Sequence, residues 1–110
     1  MSVPNADRAV VDLAKVRDYL LATGHPVGRF KARFFISLGY AAEQWERLRD
    51  DILVLGRSGD LCSETAGAYG RKFEVDGIVT GPSGRSATLR SVWIIRAEED
   101  FPRLVTGFPR

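Results

Sequence analysis

The period of the hydrophobic positions changes near the middle of this chain, from about 3.6 residues to about two, and that change predicts its fold. In the first half, Leu13, Val16 and Leu20 recur at helical spacing behind Asp12, a good N-cap residue, and Gly24 ends the run. A second helix is expected from Pro26, whose missing N–H suits a first turn, to Gly39. Its apolar stripe is Val27, Phe30, Phe34 and Leu38. A third runs from Ala41 to Leu55, with Ala41, Trp45, Leu48, Ile52 and Leu55 on one side and Glu43, Glu46, Arg47 and Asp50 on a solvated face. Residues 56–68, rich in glycine and serine, read as a loop. Tyr69, Phe73, Val75 and Val79 then alternate with Lys72, Glu74 and Asp76 as in a half-buried strand. Gly81-Pro82-Ser83-Gly84 is a turn signal that returns the next strand antiparallel. That strand sets Leu89, Trp93 and Ile95 against Arg90, Val92, Ile94 and Arg96; apolar residues on both faces near its middle place it centrally. A last strand, Arg103 to Phe108, follows the acidic turn Glu98-Glu99-Asp100. The expected architecture is α+β, with N-terminal helices packed on a small twisted antiparallel β-sheet.

Composition narrows the function classes. With 110 residues, 45% of them hydrophobic, the chain reads as one domain over 1–110 with room for one core. A net charge of +2 permits an anionic partner without demanding one. One cysteine, Cys62, cannot close an internal disulfide, and one histidine leaves no Cys/His cluster for zinc, so neither a metal nor a cofactor is expected. No apolar run approaches the ~18 residues of a membrane span. The N-terminus lacks the charged-then-apolar form of a signal peptide, so the expectation is a cytoplasmic protein without a membrane role. A P-loop, a GxGxxG at a strand end, an HExxH and a GxSxG are all missing.

The candidate chemistry gathers around residues 25–35. His25, the only histidine, lies between Gly24 and Pro26 at a helix start, where free N–H groups favour an anion and disfavour protonated imidazole. The plainer reading is a helix cap. Lys31 falls among Val27, Phe34 and Phe35, inside the apolar arc. A cation aimed inward there fits a phosphate or proton-transfer site; alternatively its stem follows the core edge and its ammonium rises to water. Arg29 and Arg33, four apart, can clamp phosphate oxygens or simply face solvent. Lys72 and Arg71, beside Tyr69, extend that patch onto the sheet, or else Lys72 guards a strand edge. Ser91 and Thr106 interrupt apolar strand faces, where a hydroxyl needs a hydrogen-bond partner or a ligand, although threonine is also a good strand former.

Several segments carry a resemblance over nearly the whole length. They are Pro4-Asn5-Ala6, Arg17-Asp18-Tyr19-Leu20-Leu21, His25-Pro26-Val27-Gly28-Arg29-Phe30-Lys31-Ala32, Leu38-Gly39-Tyr40, Trp45, Tyr69-Gly70-Arg71-Lys72-Phe73-Glu74, Ser91-Val92-Trp93-Ile94 and Pro102-Arg103-Leu104-Val105-Thr106. Together they resemble a family of small uncharacterised bacterial proteins, sometimes fused as the last domain of toxin or phage proteins. Its genes often neighbour one for a small antitoxin-like protein. More distantly, the layout is similar to the barnase–EndoU–colicin–RelE superfamily of metal-independent ribonucleases, whose active residues come from an N-terminal helix and from the sheet. That resemblance implies catalytic roles for His25, Lys31 and Thr106, and substrate contacts for Arg29, Ser91, Tyr69 and Lys72. A second acid–base residue is missing from the pattern unless Lys31, Tyr69 or Glu74 serves. The implied function is a toxin-type endoribonuclease of a toxin–antitoxin or polymorphic-toxin system, with RNA and a small antitoxin or immunity protein as partners. The rival is a non-catalytic domain that binds a small partner protein, with Lys31 lying along the core edge and His25 capping a helix. Convergence of His25, Lys31 and Thr106 on one concave site separates the two.

Overall fold

The change of hydrophobic period becomes a change from helix to sheet at Gly59. The computed structural model describes residues 3–21, 24 and 29–110; the side chains of residues 19, 29 and 30 lie outside that description. A short 3₁₀ turn, Ala6–Arg8, precedes α1, Leu13–Lys15, which runs into a π-helical segment, Val16–Leu20. Then come α2, Arg29–Ser37, a 3₁₀ turn, Ala42–Gln44, and α3, Trp45–Ser58. The strands are β1, Asp60–Gly67, β2, Gly70–Thr80, β3, Ser86–Arg96, and β4, Arg103–Pro109.

The strands form one four-stranded sheet in the order β1-β2-β3-β4, each pair antiparallel. The α+β architecture and the central place of β3 are therefore as the alternation implies. The hairpin between β2 and β3 closes through the N–H of Gly81 to the carbonyl of Arg85 at 2.9 Å, with Gly84 at φ 86. That left-handed position suits a residue without Cβ. Ser83 fastens the turn to the end of α2, donating from its N–H (3.1 Å) and its hydroxyl (2.9 Å) to the carbonyl of Leu38.

The helices cover one sheet face, where Phe73, Val75, Leu89, Trp93, Ile95 and Leu104 join Leu20, Phe35, Leu48 and Ile52 in the core. Alternation sends Lys72, Glu74, Asp76, Arg90, Val92 and Ile94 to the opposite, open face. Beyond β4, Val10 forms a parallel bridge to Arg103, donating to Pro102 (2.9 Å) and accepting from Leu104 (3.0 Å).

Three local expectations need correction. The segment read as a loop holds the last turn of α3 and then β1, an edge strand whose residues are mostly exposed and so show no apolar alternation. Helix α3 also runs through Gly56, because the Trp93 ring lies against it: a Cβ there would stand 2.6 Å from Trp93 Cζ2. The first helix is α-helical only over Leu13–Lys15, and Asp12 makes no side-chain cap bond; its carboxylate lies 3.8 Å from the Arg103 guanidinium. Among the described side chains of the second helical segment, Leu38 is buried and Phe34 half-buried as expected, and Ala32 and Phe35 are buried beside them; the expected start at Pro26, Val27 and the Phe30 side chain lie outside the description.

Candidate functional site

Lys31 is half-buried in the described first turn of α2, and α2 packs beside β4. From there the side chain reaches past β4 to the open face. Its Nζ donates to Thr106 Oγ1 at 2.9 Å and stands 5.8 Å from the centre of the Phe108 ring. Thr106 opens onto a hollow of about 280 Å³ lined also by Ser63, Thr65, Lys72, Glu74, Val92 and Phe108. Strand register builds this hollow. Ser63 pairs with Glu74, Glu74 with Val92, and Val92 with Thr106, so one cross-strand row spans all four strands; Thr65 and Lys72 pair in the next row. Because side chains alternate with period two, the row shares one face.

The hollow combines cations, hydroxyls and one carboxylate. Lys31 sits beside its wall and Lys72 within it, while Glu74 receives a long hydrogen bond, 3.3 Å, from Arg90 Nη1. Arg90 is held in turn by Asp76, through Nε at 2.7 Å and Nη2 at 3.0 Å, and Arg110 adds a contact to Asp76 at 3.2 Å. The Arg90 hydrogen bonds, opposed by desolvation and aided by Cys62 and Arg110, pull the Asp76 carboxyl down from 3.8 to about 2. Asp76 is thus committed to its arginines, whereas Glu74 keeps one side toward the hollow. Such a set can grip an anionic oxygen between ammonium and hydroxyl donors while a carboxylate stands within the same hollow to accept a proton.

The expected site residues divide as follows. Lys31, Thr106 and Lys72 meet at this hollow. Lys72 lies on β2, an internal strand, so it does not guard an edge. Tyr69, 84% exposed in the turn between β1 and β2, lines an adjoining depression of about 170 Å³ with Thr65, Lys72 and Ile94. Ser91 is elsewhere. It faces the helices, is fully buried, donates to the carbonyl of Val75 (2.9 Å) and accepts from Trp93 Nε1 (2.8 Å), so its hydroxyl serves the core rather than a substrate. His25 and the Arg29 side chain lie outside the described residues, and Arg33 is exposed. Arg71 pairs with Glu64 at 2.8 Å and lies 5.1 Å from the centre of the Phe73 ring. Ser63, Thr65 and Phe108 went unnoticed in the sequence, since only the strand register shows that they share a face with Thr106. Among the described residues, no three His, Cys, Asp or Glu side chains are grouped to hold a metal ion, and no helix is long and apolar enough to cross a membrane.

The fold is similar to that of a chain in a contact-dependent growth inhibition toxin–immunity protein complex from Klebsiella pneumoniae 342, with a TM-score of 0.67, 20% identity and 96% of each chain covered. A search of curated proteins gives no match. Residues 2–110 match the family described as Domain of unknown function (DUF6883), and the chain belongs to that family.

Proposed function

We propose that this domain is a toxin-type ribonuclease whose site is the hollow between Lys31, Lys72, Glu74 and Thr106. The observation that carries this reading is the 2.9 Å bond from Lys31 Nζ to Thr106 Oγ1, which joins a helix cation and a strand hydroxyl at the mouth of a polar hollow. A shared fold with a chain of a toxin–immunity complex supports a role in such a system. The reaction needs no co-reactant beyond the RNA. The 2′-hydroxyl attacks the adjacent phosphorus, the P–O2′ bond forms and the P–O5′ bond breaks, leaving a 2′,3′-cyclic phosphate and a 5′-hydroxyl. Glu74 takes the 2′-hydroxyl proton, and His25 returns one to the leaving O5′. Lys31 and Thr106 hold the phosphate oxygen on which charge accumulates, and Lys72 holds a neighbouring phosphate.

Induced expression in a bacterial host tests this reading, with wild type beside Thr106→Val, which keeps the side-chain shape and removes the hydroxyl. The wild type should arrest growth and accumulate RNA fragments ending in 5′-hydroxyl groups. The variant should cleave at least ~10²-fold more slowly, the loss typical of removing one transition-state hydrogen bond. A wild type that leaves both growth and RNA unchanged would favour the interaction-domain reading.

A further inference from the structure

A groove lies away from the hollow, along the edge of β2. Strand β1 pairs with β2 only as far as Asp60 opposite Asp76, so Gly77–Thr80 have β3 on one side and no strand on the other among the described residues. Gly81 N–H bonds to the carbonyl of Arg85. In an antiparallel ladder, hydrogen-bonded pairs alternate with non-bonded ones. Gly77 and Val79 therefore turn their backbone groups toward β3, and Ile78 and Thr80 turn theirs outward. Those outward groups border a groove of about 470 Å³ between this edge and α3. Two exposed apolar side chains stand at its rim, Val54 of α3 at 58% and Ile78 of β2 at 73% exposure.

We propose that this edge receives a β-strand from a partner protein, carrying alternating apolar and basic side chains. The added strand continues the line of β1, bonds the outward N–H and C=O groups of Ile78 and Thr80, and sets its apolar side chains toward Val54 on the helix side and its basic ones toward the open face. Three carboxylates line the groove, and they settle the charge of the occupant. Asp51 is held by Tyr40 and Arg47, and Asp76 by Arg90 and Arg110. Asp60 is exposed and makes no ion pair among the described residues, leaving it to meet a basic side chain. A second copy of this chain would bring like-charged rims together, which opposes self-pairing. The outer edge of β1 is a poorer acceptor, because a bulge between Leu61 and Ser63 breaks its register.

This inference is independent of the chemistry in the hollow, so a negative result with Thr106→Val leaves it standing. The test is amide hydrogen exchange on the intact protein with a synthetic peptide of alternating lysine and valine. Saturating peptide should slow exchange at Ile78 and Thr80 at least ~10-fold, while Lys72 and Glu74, already paired with β1, stay unchanged. Asp60→Lys, a surface change, should require at least ~5-fold more peptide at low salt, and the difference should shrink as salt is added. Unchanged exchange at Ile78 and Thr80, equal protection by a glutamate–valine peptide, or protection that follows dimerisation without peptide would each overturn the proposal.

Discussion

Replacing Ser91 with alanine tests the assignment of that hydroxyl to the core. The change removes the acceptor for Trp93 Nε1 and the donor to the Val75 carbonyl, bonds of 2.8 and 2.9 Å. Val75 keeps its place opposite residue 91 in the β2–β3 ladder, so the second loss costs about 1 kcal/mol. The first is larger. Trp93 is 1% exposed, and its indole N–H would be left without an acceptor, a penalty of about 1–3 kcal/mol. Together they predict a loss of about 2–4 kcal/mol, or roughly 10–20 °C in Tm for a domain of this size. Urea unfolding followed by circular dichroism measures it, and a cycle with Trp93→Phe isolates the coupling. Phenylalanine removes the stranded N–H, so the double variant should be more stable than additivity allows by about 1–2 kcal/mol. Cleavage normalised to the folded fraction should be unchanged in Ser91→Ala. A cost under about 0.5 kcal/mol, or an additive cycle, would refute the reasoning.

Other consequences follow from single contacts. Gly56→Ala would ordinarily favour a helix by about 1 kcal/mol, yet here the new Cβ meets the Trp93 ring at 2.6 Å; urea unfolding should show a net loss of about 1–3 kcal/mol. Asp76, with its carboxyl lowered to about 2, contributes stability that is whole above about pH 4 and is lost as the pH falls toward 2. Screening at this partly wet site reduces that contribution to on the order of 1 kcal/mol, and an acid titration of Asp76→Asn should lack that part of the slope. Cys62 is exposed and free, so a thiol reagent should label the folded protein at one site without added denaturant.

The strands with a buried face were legible in the sequence because burial imposes alternation. Phe73, Val75, Leu89 and Trp93 all face the core, and the glycine-rich turn after Thr80 sets the antiparallel return. Strand β1 was illegible for the opposite reason: an edge strand whose side chains mostly meet water carries no apolar period. Gly56 looked like a helix end because its reason for being glycine is the Trp93 ring, thirty-seven residues away in sequence. The same limit applied to the site. Lys31 was conspicuous as a cation inside an apolar arc, but its partner could have been water. Thr106 and Ser91 presented one signal, a hydroxyl on an apolar strand. Register separates them: Thr106 falls on the row with Glu74 and Val92, and Ser91 falls one residue out of that row, facing the helices.

The most direct test of the central claim is Lys31→Met in the purified protein, with cleavage of total RNA and urea unfolding measured on the same sample. Methionine keeps much of the apolar stem and removes the ammonium that bonds Thr106. Stability should change by under about 1.5 kcal/mol, the usual limit for a volume-conserving exchange. Cleavage should fall at least ~10²-fold, as expected when one charge contact to the transition state is lost. A folded Lys31→Met protein that cleaves RNA as fast as wild type would contradict the account.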